Sequence, residues 1–180
     1  MLHLNVNSAE FFDEATETFI ETKPIVLNLE HSLLSISKWE SKYHKPFLAK
    51  NKQDVRTKEE MIDYVKCMTL NHNVPDIVYR SLNKAAMDKV YAYINDPMTA
   101  TTITESSDKK NEIITSEVIY YWMVSLGIPF SCEKWHLNRL ITLVKVCNAM
   151  NNPKKMSRKD ILSRNRALNA ARKKALHTRG

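Results

Sequence analysis

Two short runs bring chemically capable side chains close together. Cys132 and His136 stand four residues apart, with Glu133 between them and Cys147 further along. On one helix, residues i and i+4 share a face, so a thiolate and an imidazole at this spacing could ligate zinc. Zinc needs about four ligands, usually from paired motifs, and the sequence has no CxxC and no HxxxH. Glu133-Lys134-Trp135-His136 also fits the Glu-x-x-His spacing of di-iron bundles, which must occur twice with two further carboxylates. It occurs once. The expectation is a packed thiol beside a half-buried histidine, with no metal and no cofactor. Glu30-His31-Ser32 sets acid, base and nucleophile types side by side, as nucleophilic catalysis requires. Sequence neighbours on a strand or helix point in different directions, so the run reads instead as a helix start at Ser32.

Other routes to catalysis are equally bare. There is no GxSxG elbow, and only two glycines, Gly127 and Gly180, are available for a phosphate-cradling loop. The chain is therefore expected not to be an enzyme. Tyr120, Tyr121, Trp122 and Trp135 are types that stack on bases, yet they sit in nearly all-apolar runs and are expected in the core. The three cysteines, Cys67, Cys132 and Cys147, are an odd number within apolar helical patterns, which suits reduced, buried thiols.

The charge is unevenly placed. Residues 153–180 carry ten Lys or Arg against one acid, Asp160, a net of +9; the whole chain is +7, which leaves the first 152 residues at −2. A partner attracted by charge meets this end first. The residues expected to contact it are Arg158, Lys159, Arg164, Arg166, Arg172, Lys173 and Lys174. Three readings compete: a solvated terminus, an arm for an acidic protein surface, and a contact to nucleic-acid phosphates.

The elements that position these groups follow from periodicity. Leu2, Leu4 and Val6 alternate with polar residues, and Pro24–Leu29 repeats the pattern, predicting a small β element over 1–30. Leu33, Leu34, Ile36 and Trp39 have helical spacing as far as Tyr43, and Pro46 closes the run. Thr57 with Glu60 forms a capping box, followed by Met61, Ile62, Tyr64, Val65, Met68 and Leu70 as a buried stripe. A helix is predicted from Val78 to Ile94, ended by Asp96-Pro97, and a surface loop over 98–111.

Thr115–Leu126 is apolar almost all round and predicts a buried helix, stopped by Gly127 in the left-handed C′ position and by Pro129. The apolar stretch 113–130, broken by Glu117, Gly127 and Pro129, does not suit a bilayer span. Ser131 is expected to cap a helix Cys132–Met150, embedded except for a ridge of Lys134, Asn138, Thr142, Lys145 and Asn148. So apolar a helix cannot read a DNA groove. The basic segment is predicted helical, with Ser157 and Asp160 as a cap pair and Ile161, Leu168, Ala175 and Leu176 near one face.

The fold class is mainly α (α+β): a helical domain of about five to six helices with a small N-terminal β element and a basic C-terminal helix. The organisation is 1–30 as the β element, 31–152 as the helical core domain with a loop near 98–111, and 153–180 as the arm. The first residues lack the positive flank and apolar core of a secretory signal.

Three stretches carry a family resemblance: LEHSLLSISKWESKYHKPF (Leu29–Phe47), TSEVIYYWMVSLGIPFSCEKWHLNRLITLVKVC (Thr115–Cys147) and MSRKDILSRNRALNAARKKALHTRG (Met156–Gly180). Together they resemble tailed-bacteriophage proteins described as tail assembly chaperones or virion proteins. The resemblance implies a non-enzymatic morphogenesis protein, made in the host bacterial cytoplasm, that acts in tail assembly as a chaperone or as a minor component of tail, baseplate or neck. It supplies no catalytic residues; Ser35–Trp39 and Trp135–Arg139 would be fold or contact residues. The partners it implies are tape-measure, tube or baseplate proteins, with further copies of the chain also compatible and no membrane. The alternative is a nucleic-acid-binding module that meets phosphates through the C-terminal basic helix.

Overall fold

The computed structural model describes residues 1–13, 17–48, 56–101, 113–151 and 158–176. Among these the protein is mainly helical, with seven α-helices following four short strands. The strands are β1 (Leu2–Val6), β2 (Glu10–Asp13), β3 (Thr18–Glu21) and β4 (Ile25–Leu29). β1 pairs antiparallel with β4, Leu2 opposite Leu29 and Val6 opposite Ile25. β2 pairs with β3, Glu10 opposite Glu21 and Asp13 opposite Thr18.

Both pairs keep one register, and the Thr22 N–H donates to the Ala9 carbonyl between them at 2.9 Å. The Thr22 hydroxyl also accepts from the Ala9 N–H at 2.9 Å, which holds the join. The four strands are thus two halves of one long hairpin, interrupted beside Pro24, which has no N–H to give. The base half buries Leu4, Val6, Leu27 and Leu29 on one face, as period-two alternation requires. The far half leaves Phe12, Phe19 and Ile20 exposed.

The outer edge of β4 is covered. Leu70 N–H donates to Asn28 O (2.8 Å), Glu30 N–H to Met68 O (2.9 Å), and the Asn71 side chain bonds Asn28 N–H and Val26 O. An asparagine thereby stands in for a strand and blunts the edge.

The helices are α1 (Leu33–Tyr43), α2 (Lys58–Met68), α3 (Asp76–Arg80), α4 (Lys84–Asn95), α5 (Ser116–Ser125), α6 (Leu137–Asn151) and α7 (Arg158–Leu176). Ser32 caps α1, accepting from Ser35 N–H, and His44 ends it in the left-handed region at φ 54°. The Thr57–Glu60 capping box opens α2 as expected: Glu60 N–H reaches Thr57 Oγ1 at 3.2 Å and Thr57 N–H reaches Glu60 Oε2 at 3.0 Å. Gly127, at φ 65°, closes α5 with Ile128 N–H on Met123 O at 2.8 Å, the left-handed stop read from the sequence.

Several expectations are corrected. The single helix predicted over 78–94 is two, α3 and α4, because the Asn83 side chain accepts from Ala86 N–H and starts a new helix. Leu70 is exposed rather than part of the α2 stripe, since α2 ends at Met68 and Thr69 bridges to Leu29. α5 is not buried all round: it buries Ser116, Ile119 and Met123 on one seam and leaves Tyr121 and Val124 exposed.

The helix expected from Cys132 starts only at Leu137, after a 3-10 turn over Phe130–Lys134. Trp135 is extended (φ −71°, ψ 159°), His136 bridges Ser32, and Leu137 N–H donates to His31 O at 2.7 Å. This tertiary pairing outcompetes helical continuation, so Ser131 caps nothing and Lys134 lies off the predicted ridge. α6 is also less embedded than its composition suggests, burying one seam of Leu137, Leu140 and Val144.

The chain divides into two compact units, Met1–Val146 and Cys147–Gly180. The first holds the hairpin base and α1 to α5 around a core centred on Leu33, Ile36, Trp39, Tyr64 and Ile119. The second holds the last residues of α6 together with α7. The predicted loop at 98–111 falls largely outside the described residues, as does Ser157 of the predicted cap pair.

Candidate docking site

α7 is helical over nineteen residues, as its sequence predicted. At about 100° per residue, positions seven apart drift only about 20°. Lys159, Arg166 and Lys173 therefore form one stripe, and Ile161, Leu168 and Ala175 form a second, roughly opposite. Arg158, Arg164, Arg172 and Lys174 occupy further positions of the same helix.

Arg166, Arg172 and Lys173 are exposed, and among the described residues none of them forms an ion pair. Leu162 and Leu168 are exposed as well. In folded proteins most helical stability comes from packing an amphipathic face.

The other sequence candidates are placed as structural groups. Glu30, His31 and Ser32 each turn to a different partner. Glu30 accepts from Tyr93 OH at 2.6 Å and lies 3.1 Å from the Met1 amino group. His31 Nδ1 meets Tyr64 OH at 2.5 Å, and Ser32 caps α1. Cys132 and His136 are not on one helix, and His136 is buried rather than half-buried. Its Nε2 lies 3.0 Å from Tyr93 O and its Nδ1 accepts from Asn138 N–H. Both nitrogens are occupied, and no group of three or more His, Cys, Asp or Glu among the described residues can hold a metal.

All three cysteines are free thiols; Cys132 is buried, Cys67 and Cys147 half-buried. Burial pushes the Cys67 thiol up, away from reactivity. The expected aromatic core is not one: Tyr121 is 68% exposed, and Tyr120, Trp122 and Trp135 are half-buried. Tyr120 donates to Glu133 at 2.8 Å, and Arg139 stacks on Trp135 at 4.4 Å.

A buried polar cluster went unread in the sequence because its members are distant along the chain. His31 and His136 rings meet edge to face at 5.1 Å, with Tyr64 OH shared between His31 and Ser35. A cleft of about 240 Å³ beside it is lined by His31, Phe47, Arg56, Asn95 and Asn138. Arg56, Asn95 and Asn138 already donate to backbone carbonyls, so the cleft is part of the packing scheme.

Burial, then the charges of His136 and Arg56, hold the His31 imidazole at about 3. His136 is lowered too, by burial, against an opposing bond to Tyr93. A histidine depressed in the folded state contributes stability that is full above its unfolded value near 6.5 and is lost as pH falls toward the folded value. Asp63 is held at about 2: burial pushes it up, but bonds from Lys42, Tyr43 and Lys66 outweigh that. The window from about pH 6.5 to 4.5 therefore isolates the histidines. Stability is expected to drop by about 2 kcal/mol between pH 7 and pH 5 from His31 alone, at about 1.4 kcal/mol per unit. Urea midpoints measured at the two pH values check this, and an unchanged midpoint contradicts it.

No family model matches the chain, and no curated protein or solved structure matches it. Among the described residues no helix is long and apolar enough to cross a membrane.

Proposed function

We propose that this chain works through contacts rather than catalysis, as a bacteriophage morphogenesis protein in tail assembly whose C-terminal helix docks on an acidic, partly apolar protein surface. The observation that carries the docking role is α7 itself, a nineteen-residue helix whose described side chains between Leu162 and Lys173 are all exposed. The tail-assembly setting rests on the resemblance of three stretches of sequence. Polar groups that would otherwise suggest a reaction centre, His31, Ser32 and His136, are buried and bonded within the fold.

A protein partner is favoured over nucleic acid because α7 repeats an apolar residue every seven positions roughly opposite its Lys159, Arg166 and Lys173 positions, a thin stripe on which Arg164 and Arg172 intrude. Phosphate contacts have no use for Ile161, Leu168 and Ala175 at heptad spacing.

Replacing Arg166, Arg172 and Lys173 by glutamine in the phage is expected to cut the yield of complete tails severely, with the purified protein's melting temperature unchanged. Electron microscopy of lysates reads the first and calorimetry the second; normal tails remove α7 from the mechanism. Retention of the wild-type protein on DNA or RNA, with log affinity falling linearly and steeply against log salt, would instead establish the phosphate-binding alternative.

A further inference from the structure

The far half of the N-terminal hairpin is acidic and aromatic. Residues 10–21 contain five acids, Glu10, Asp13, Glu14, Glu17 and Glu21, and no Lys, Arg or His. In the β2–β3 register Glu10 faces Glu21 and Phe12 faces Phe19. Residues two apart share a face of a strand, so all four lie on the same face of the ribbon.

That face is open. Phe12 is 55% and Phe19 72% exposed, with their rings 5.2 Å apart, and Glu10 and Glu21 are exposed beside them. Among the described residues neither glutamate forms an ion pair. Like charges directly opposed across two strands destabilise the pair, and two exposed phenylalanines leave apolar area in water. A single group relieves both costs: a guanidinium lying on an aromatic face while pairing with carboxylates.

We infer that the face formed by Glu10, Phe12, Phe19 and Glu21 is the acceptor for helix α7 of a second copy of this chain. The inference rests on reading α7 as a docking arm and names the surface it docks on. Complementarity is the argument: an acidic, aromatic, unpaired ribbon and a basic helix with an apolar stripe are carried by the same polypeptide. Donor and acceptor are different surfaces, so the contact is heterologous. It propagates head to tail, into a ring where the rotation closes and into a chain where it does not.

The test uses full-length protein in sedimentation equilibrium across a range of concentrations, at low and at high salt. Self-association is expected at low salt and is weakened by high salt. Phe12→Ser with Phe19→Ser, and separately Glu10→Gln with Glu21→Gln, should each raise the dissociation constant by about tenfold or more, as loss of central contacts does. Arg166→Gln/Arg172→Gln/Lys173→Gln should do the same. The sites are exposed, so circular dichroism should match the wild type for every variant.

The deciding experiment mixes the Phe12/Phe19 variant, whose arm is intact, with the arm variant, whose hairpin is intact. Each alone should be monomeric, and the mixture should form a one-to-one dimer that grows no further. A wild-type chain that stays monomeric at every concentration overturns the inference while leaving the arm free to bind another acidic protein. Self-association lost in the arm variant but kept in both hairpin variants also overturns it, and keeps the arm reading alive. Self-association unaffected by the arm variant overturns it as well, and leaves the arm reading to be decided by the yield of complete tails.

Discussion

Glu40→Ala should cost about 2–6 kcal/mol, because one carboxylate closes two otherwise unpaired backbone donors. Glu40 Oε1 accepts from Phe47 N–H at 2.7 Å, and Oε2 accepts from Ser116 N–H at 2.7 Å. The side chain is buried, with 8% exposed, so water cannot replace it. Each orphaned buried donor costs about 1–3 kcal/mol. Thr115, the N-cap of α5, makes no side-chain cap bond; the cap is supplied from α1, seventy-six residues earlier. A negative charge there also complements the helix N-terminus.

Glu40→Gln keeps one acceptor oxygen and should recover part of the loss. Ser116→Ala is the internal control. Among the described residues its buried hydroxyl has no hydrogen-bond partner, so removing it should be neutral or slightly stabilising. Urea denaturation of the three variants reads all of this, and a loss below about 1 kcal/mol for Glu40→Ala would show that the two donors find other partners.

Trp39→Ala is expected to cost about 3–5 kcal/mol, the range for deleting a large buried aromatic. Trp39 is 1% exposed and packs against Tyr43 at 4.8 Å and edge-on to Phe47 at 5.2 Å. Its indole N–H donates to Glu60 O of α2 at 2.9 Å, so one ring ties α1 to α2. Trp39→Phe separates the contributions: it keeps much of the packing and loses a hydrogen bond worth about 1 kcal/mol. Since a domain of this kind holds about 5–15 kcal/mol in total, the alanine variant should lower the urea midpoint sharply. A midpoint within error of wild type would mean that Trp39 does not hold α1 on α2.

The elements that the sequence announced are those whose signals are local. Ser32, the Thr57–Glu60 box and Gly127 act on backbone groups within four residues, and each ends or begins a helix where expected. Asn83 is the same kind of signal, read past because Leu82, Ala86 and Val90 kept helical spacing across it. The charge and helical pattern of α7 are local too, which is why a basic C-terminal helix was legible in the sequence.

What remained hidden is pairing between distant residues. The break before α6 is caused by His136 lying against Ser32, one hundred and four positions away along the chain, and no helix propensity encodes that. Apolar composition likewise predicted burial all round α5 and α6, whereas each buries one seam. Composition fixes how much surface can be hidden, and only the neighbours present decide which face is.

By itself, then, the sequence determined the helical class, most helix ends and the basic arm, because caps, turns and charge act over a few residues. Only the tertiary structure decided that Glu40 caps a remote helix, that the two histidines share a buried cluster, and that the hairpin's aromatic face stands open. Those depend on which segments meet, and burial makes such meetings worth far more than any local preference.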